Sequence, residues 1–133
     1  MRKLSRLAAN KEANKMTIHK RRLPIYNLDF FFGTNEDELK RKFGPFDDEY
    51  AELGGWIFVD VAKPKIVMWL PEEKGGLLIP HLVHECLHAA MGVAKISGLN
   101  PTPDNNESVA YLAQWFSETV LDFMHSKKQE NKE

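Results

Sequence analysis

The sequence predicts an α+β fold, a small antiparallel or mixed sheet packed against two long helices. Three observations carry that expectation. Short runs of aromatic and branched residues recur at 23–32 (LPIYNLDFFF), 55–61 (GWIFVDV) and 65–70 (KIVMWL), a composition that favours strands. Apolar residues then recur at helical spacing over about 77–96 and 105–125,. With 133 residues, 43% hydrophobic and 28% charged, the chain can bury one core and not two.

In chain order, residues 1–20 suit at most a frayed helix, because Leu4, Leu7 and Ala8 form only a weak apolar stripe,. Residues 1–22 read as a basic arm. The first strand follows at 23–32. Thr34 offers an N-cap, with Glu36 and Asp37 in the first turn of a short helix reaching about Lys42,. Gly44-Pro45 closes it, and residues 45–54 read as a loop,. The runs 55–61 and 65–70 are joined by Ala62-Lys63-Pro64 and read as a β-hairpin,. Pro71 and Gly75-Gly76 end it. Between the two helical stretches lies SGLNPTPDN, a strong loop signal,. From Ser126 the lysine- and glutamate-rich tail reads as loose, which leaves 23–125 as the single domain.

The formal net charge of −1 hides an asymmetry. Residues 1–22 carry eight Lys/Arg against the one acid Glu12, and the remainder carries 10 basic against 18 acidic residues. A basic arm can touch nucleic acid or an acidic partner. No aromatic interleaves its charges to stack on bases, which favours a solvated terminus instead. No apolar run approaches the roughly 18 residues of a membrane span. No apolar stretch follows the basic N-terminus as in a secretory signal. The single Cys excludes an internal disulfide,. We therefore expect a cytoplasmic protein without membrane contact.

The segment HECLH, residues 84–88, lies on the first long helical stretch. At about 100° per residue, with His84 at 0°, His88 projects to about 40°, His81 to about 60° and Glu85 to about 100°. Leu82, Val83, Cys86, Leu87, Ala89, Ala90, Val93 and Ala94 fill the opposite arc, which should enter the core,. Histidines four apart stand one above the other, so both imidazoles can reach one zinc ion. A carboxylate beside them can take the proton of water that the metal acidifies. Cys86 falls in the apolar arc and reads as a small buried hydrophobe.

Two histidines alone hold catalytic zinc poorly. Downstream, DNNESVAYL (104–112) opens the last helix, and Glu107 lies 19 positions after His88. His84-Glu85-x-x-His88, then 18 residues, then Glu107 is the spacing of the gluzincin zinc metallopeptidases, which the chain resembles. NESVAY (106–111) is similar to the Asn-Glu-x-x-Ala segment of many of them, and the order strand, hairpin, helix resembles their minimal core. LVHECLHAA with DNNESVAYL is also similar to small phage- and prophage-encoded proteins carrying peptidase motifs. The resemblance spans about 23–125, but its specific part is a dozen residues.

The resemblance implies a zincin-like domain with one zinc per chain on His84, His88 and Glu107, Glu85 as general base, and a peptide or protein substrate. A phage origin implies the host cytoplasm. In the family, the edge strand before the active-site helix aligns the substrate backbone. KIVMWL (65–70) takes that slot, and Trp69 or Trp56 would line a pocket. Full-length gluzincins draw an oxyanion-stabilising Tyr or His from a further domain, for which this chain has no room. Tyr111 and His81 stand as candidates, and His81 also reads as a third nitrogen ligand, a group that supports a ligand, or a surface histidine. Glu107 projects about 160° from Val109 on the apolar stripe of the last helix, so it also reads as a first-turn glutamate favourable with the helix dipole. Asp104 and Glu118 are the next choices as ligand. Two other readings stay open: a non-catalytic zinc-stabilised binding protein and a metal-free interaction module.

Overall fold

The computed structural model describes residues 17–46 and 54–132. In chain order the elements are β1 (His19–Leu23), β2 (Leu28–Gly33), α1 (Glu36–Phe43), β3 (Trp56–Asp60), β4 (Lys65–Trp69), α2 (Ile79–Ser97) and α3 (Glu107–Lys132). The fold is α+β. One four-stranded sheet has the order β1-β2-β4-β3. Its two hairpins, β1/β2 and β3/β4, are antiparallel and meet along a parallel β2/β4 seam.

Alternation along the strands sorts side chains to the two faces. Phe30, Phe32, Ile66 and Met68 face α2 and α3 in the main core, with Leu82, Cys86, Val93, Phe116 and Val120. Phe31, Val67, Trp56 and Trp69 face the other way, against Leu39 of α1. Phe30 meets Phe116 edge to face, with ring centroids 4.8 Å apart. On α3, Val109, Leu112, Phe116, Val120, Phe123 and Met124 are buried, the stripe expected from periodicity.

The first strand corrects the sequence expectation twice. Residues 23–32 are not one strand, because the chain turns between Leu23 and Leu28. Pro24 cannot donate to a ladder. Ile25 (φ 74°) and Asn27 (φ 55°) occupy the left-handed region, which Asn tolerates well. Turn chemistry thus overrides the strand preference of Ile25 and Tyr26. Residues 19–23, expected in the arm, form the edge strand β1. Neighbours make that basic stretch a strand. His19 stacks on Phe123 with centroids 4.6 Å apart, Arg21 lies over the same ring, and Arg22 reaches Asp29 at 3.0 Å. Its cations also guard the open edge. The frayed helix and the arm up to residue 16 lie outside the described residues.

Helix α1 begins one residue later than expected. Asn35, not Thr34, is the N-cap and accepts from the Glu38 N–H at 3.1 Å. Thr34 instead lends its carbonyl to the Trp69 indole at 3.1 Å. Gly98 (φ 76°) ends α2, and Leu99 N–H returns to the Ala94 carbonyl at 2.8 Å, a left-handed cap closed by an apolar residue. Helix α3 runs through Lys132, past the loose tail expected from Ser126. Its Lys, Gln and Glu residues are good helix formers.

Helix α2 lies close to the sheet because Gly92 has no side chain. A Cβ there would stand 2.7 Å from Val59 Cγ2 and 2.9 Å from Ile66 Cδ1. Gly92→Leu is therefore expected to lose about 1–3 kcal/mol of stability to overpacking, read by denaturant unfolding. An unchanged midpoint would mean that β3 yields freely.

Candidate active site

Helix α2 is rolled further toward β3 and β4 than its hydrophobic pattern indicates. Leu82, Cys86, Ala89, Ala90, Val93 and Ala94 are buried as expected. Val83 and Leu87, expected in the core, are 59% and 52% exposed, whereas Glu85, expected on the polar strip, is 5% exposed. The sheet covers the Glu85–Gly92 side of the helix and leaves the Val83–Leu87 side bare. Gly55 (φ 140°) makes room for this: a Cβ there would stand 3.1 Å from Glu85 Cγ and 2.9 Å from the Trp69 carbonyl oxygen.

His84 and His88 stand exposed at the mouth of a cleft with Glu85 at its floor. Their Nε2 atoms are 3.1 Å apart and their rings lie edge to face. Glu85 Oε1 is 3.9 Å from His84 Nε2. Burial raises the Glu85 pKa, and the nearby His84, His88 and His81 rings oppose that rise. A buried carboxyl group with a raised pKa beside imidazoles is a candidate for proton transfer. Cys86 is buried, and burial pushes its thiol up to about 11. That is the setting of a small core side chain, as its place on the helix predicts,.

The histidine spacing permits a metal test. Two nitrogens bound at about 2.0–2.1 Å to one tetrahedral zinc lie about 3.3 Å apart. The observed 3.1 Å fits two ligand positions of such a site with little adjustment. The third is not assembled: no group of three His, Cys, Asp or Glu residues that could hold a metal forms among the described residues. Glu107 is exposed in the first turn of α3, and Tyr111 is 66% exposed on the next turn. Neither lines the cleft. Asp104 is exposed, and Glu118 accepts from the Gln114 amide at 2.9 Å. His81 is half-buried with its ring against Gly54, and its buried Nδ1 has no hydrogen-bond partner among the described residues.

The cleft, about 340 Å³, also contains groups that the motif does not reveal. Gly55, Trp56, Ile57 and Val59 form one wall, and Met91, Gly92 and Lys95 continue the helix side. The strand assignment needs correction. KIVMWL cannot align a substrate backbone, because β4 is hydrogen-bonded to β2 on one side and β3 on the other. Of the two edge strands, β1 and β3, the one against α2 is β3. Trp56, not Trp69, borders the cleft, but its ring lies on the α1 side of the sheet, where the indole donates to Glu36 Oε2 at 2.8 Å. The doublet Gly54-Gly55 ahead of WIFVD was the available signal: glycines there let a strand approach a side chain closely.

No protein-family model, no curated protein and no solved structure matches this chain. No helix among the described residues is long and apolar enough to cross a membrane.

Proposed function

We propose that the chain is a small zinc-dependent metallopeptidase of gluzincin type that hydrolyses a bond in a peptide or protein. The observation that carries the reading is the pair of Nε2 atoms 3.1 Å apart over the buried Glu85, beside a sheet edge with no partner strand among the described residues. His84 and His88 would hold one zinc per chain, and Glu107 is the residue proposed for the third position, with Asp104 and Glu118 next. When bound, zinc supplies Lewis acidity, polarising a carbonyl and acidifying water.

The chain's own groups do the rest. The outer edge of β3 receives an extended peptide by main-chain hydrogen bonds. Glu85 takes a proton from the attacking water at its carboxylate and returns it to the leaving amine. His81 or Tyr111 would stabilise the developing oxyanion. By the resemblance to phage-encoded proteins, the work is placed in the host cytoplasm. Nucleic-acid contact by the basic arm remains secondary, since His19–Leu23 of that arm is spent on the sheet.

One observation favours a second reading, a non-catalytic zinc-stabilised binding protein. Ile79, Val83, Leu87 and Met91 stand exposed at i+4 spacing beside the histidines, an apolar row suited to a partner. The two readings part on a peptide-mixture digest followed by mass spectrometry. The first expects new termini from zinc-loaded protein and none from Glu85→Gln. The second expects none from either.

A further inference from the structure

We propose that Lys95 sets the specificity of this cleft by receiving an acidic side chain about four residues N-terminal to the peptide bond lying over Glu85. The inference rests on the metallopeptidase reading for the position of that bond, but its charge preference can be tested without hydrolysis.

Two close approaches fix the register of strand against helix. Gly55 abuts Glu85, and Val59 abuts Gly92. Strand β3 and helix α2 therefore run side by side in the same direction. Seven helical residues rise about 10.5 Å and four strand residues about 13 Å, so the two contacts agree. Lys95 lies three residues beyond Gly92, about 15 Å along the axis from Glu85. That is between four and five residues of extended chain at about 3.4 Å each. Its projected angle, about 20°, falls between those of His84 and His88. It thus stands on the same strip and lines the same cleft.

The ammonium is available. Lys95 is exposed and pairs with no acid among the described residues. Asp60, the acid at the end of β3, is engaged, accepting from Lys63 N–H at 3.1 Å and pairing with Lys65 Nζ at 3.3 Å. Among the described residues the rest of the far cleft is Val59, Met91 and Gly92, which carry no second charge. One cation at the end of an otherwise apolar groove selects an anion and disfavours a cation.

Direction follows from pairing. Among the described residues the outer edge of β3 has no partner strand, and antiparallel addition is the more stable mode. A peptide running antiparallel to β3 has its N-terminal part beside Val59 and Lys95 and its C-terminal part beside Gly55. The acid therefore precedes the bond over Glu85.

The test uses blocked decapeptides of one sequence in which a single Glu, Gln or Lys is moved through each position. With zinc-loaded protein, Glu about four residues before the cut is expected to raise kcat/KM about fivefold over Gln, the upper range of an exposed ion pair, with Lys falling below Gln. Lys95→Glu should reverse that order, and 0.5 M salt should abolish it. An order unchanged in Lys95→Glu, or an acid preferred only after the cut, overturns the inference. The same peptides are titrated by fluorescence polarisation onto Glu85→Gln protein, with and without Lys95→Glu. If nothing is cleaved but the Glu peptide binds about fivefold tighter and Lys95→Glu reverses this, the peptidase reading fails and the inference stands. If peptides are cleaved with no Lys95-dependent preference, the inference fails and the peptidase reading stands. If they are neither cleaved nor discriminated, both fail.

Discussion

Glu85→Gln is expected to keep the fold and bind zinc as the natural protein does, while hydrolysis falls by at least about 10²-fold. The amide matches the carboxylate in shape, so it can sit against Gly55 as before. What it lacks is a proton acceptor at the cleft floor. Retained turnover in a variant with stoichiometric zinc would remove Glu85 from the mechanism.

The same substitution has a stability signature opposite to that of an ordinary core change. In metal-free protein the carboxyl of Glu85 is buried, and burial raises its pKa above the usual carboxylate range. A group whose pKa is higher folded than unfolded contributes stability that is complete below the unfolded value. That contribution is lost as pH rises through the folded value. In EDTA, the natural protein should therefore weaken between acid and neutral pH more than Glu85→Gln does. At neutral pH the variant should melt at least as high. A variant that melts lower at neutral pH and at the same temperature in acid would show that the carboxylate is stabilised in the fold.

The parts of the fold with strong local periodicity were legible. The β3/β4 hairpin, α2 and the buried stripe of α3 all follow from spacing and from punctuation by Pro and Gly. The first strand was not, because LPIYNLDFFF is uniformly strand-like in composition, and the decision to turn rests on Pro24 and Asn27 alone. Strand β1 was hidden for a different reason. HKRRL has only Leu23 as a core residue, and its cations gain partners only when Asp29, Phe31 and Phe123 are brought alongside. Such non-local contacts leave no trace in a window of a few residues.

The site shows the same division. That His84 and His88 share a helix face follows from four-residue spacing, and their 3.1 Å approach agrees. The burial of Glu85 was missed, because a carboxylate scores as polar wherever it lies, and the roll of α2 is set by Gly92 against Val59 and Ile66. The identity of the edge strand beside α2 was also missed. Sequence order places β4 nearest to α2, whereas sheet order places β3 at the edge. A parallel β2/β4 pairing is a long-range choice that strand composition does not encode.

Removal of the metal should have the largest effect on the molecule as a whole. Protein purified without added metal is expected to carry one zinc per chain, and His84→Ala and His88→Ala should each abolish it. Losing an outer-shell partner typically costs 10–100-fold in metal affinity, and a direct ligand should cost more. The two side chains are exposed and contribute little to the core, so both variants should still fold. Chelation of the natural protein should lower its melting temperature, since a ligand held at about 1,000 times Kd contributes about 4 kcal/mol. Protein without stoichiometric zinc, and with melting unmoved by added zinc, would sink the metal reading and favour a metal-free interaction module. Glu107→Ala separates the remaining possibilities. Its side chain is exposed, so its loss should cost the fold little. Zinc lost in this variant with the melting of the metal-free protein unchanged would establish it as the third ligand. Zinc retained there but lost in Asp104→Ala or Glu118→Ala would move that role within the same region. Zinc retained in all three would mean that the histidine pair takes its third ligand from elsewhere, and the gluzincin spacing would then carry no weight for this chain.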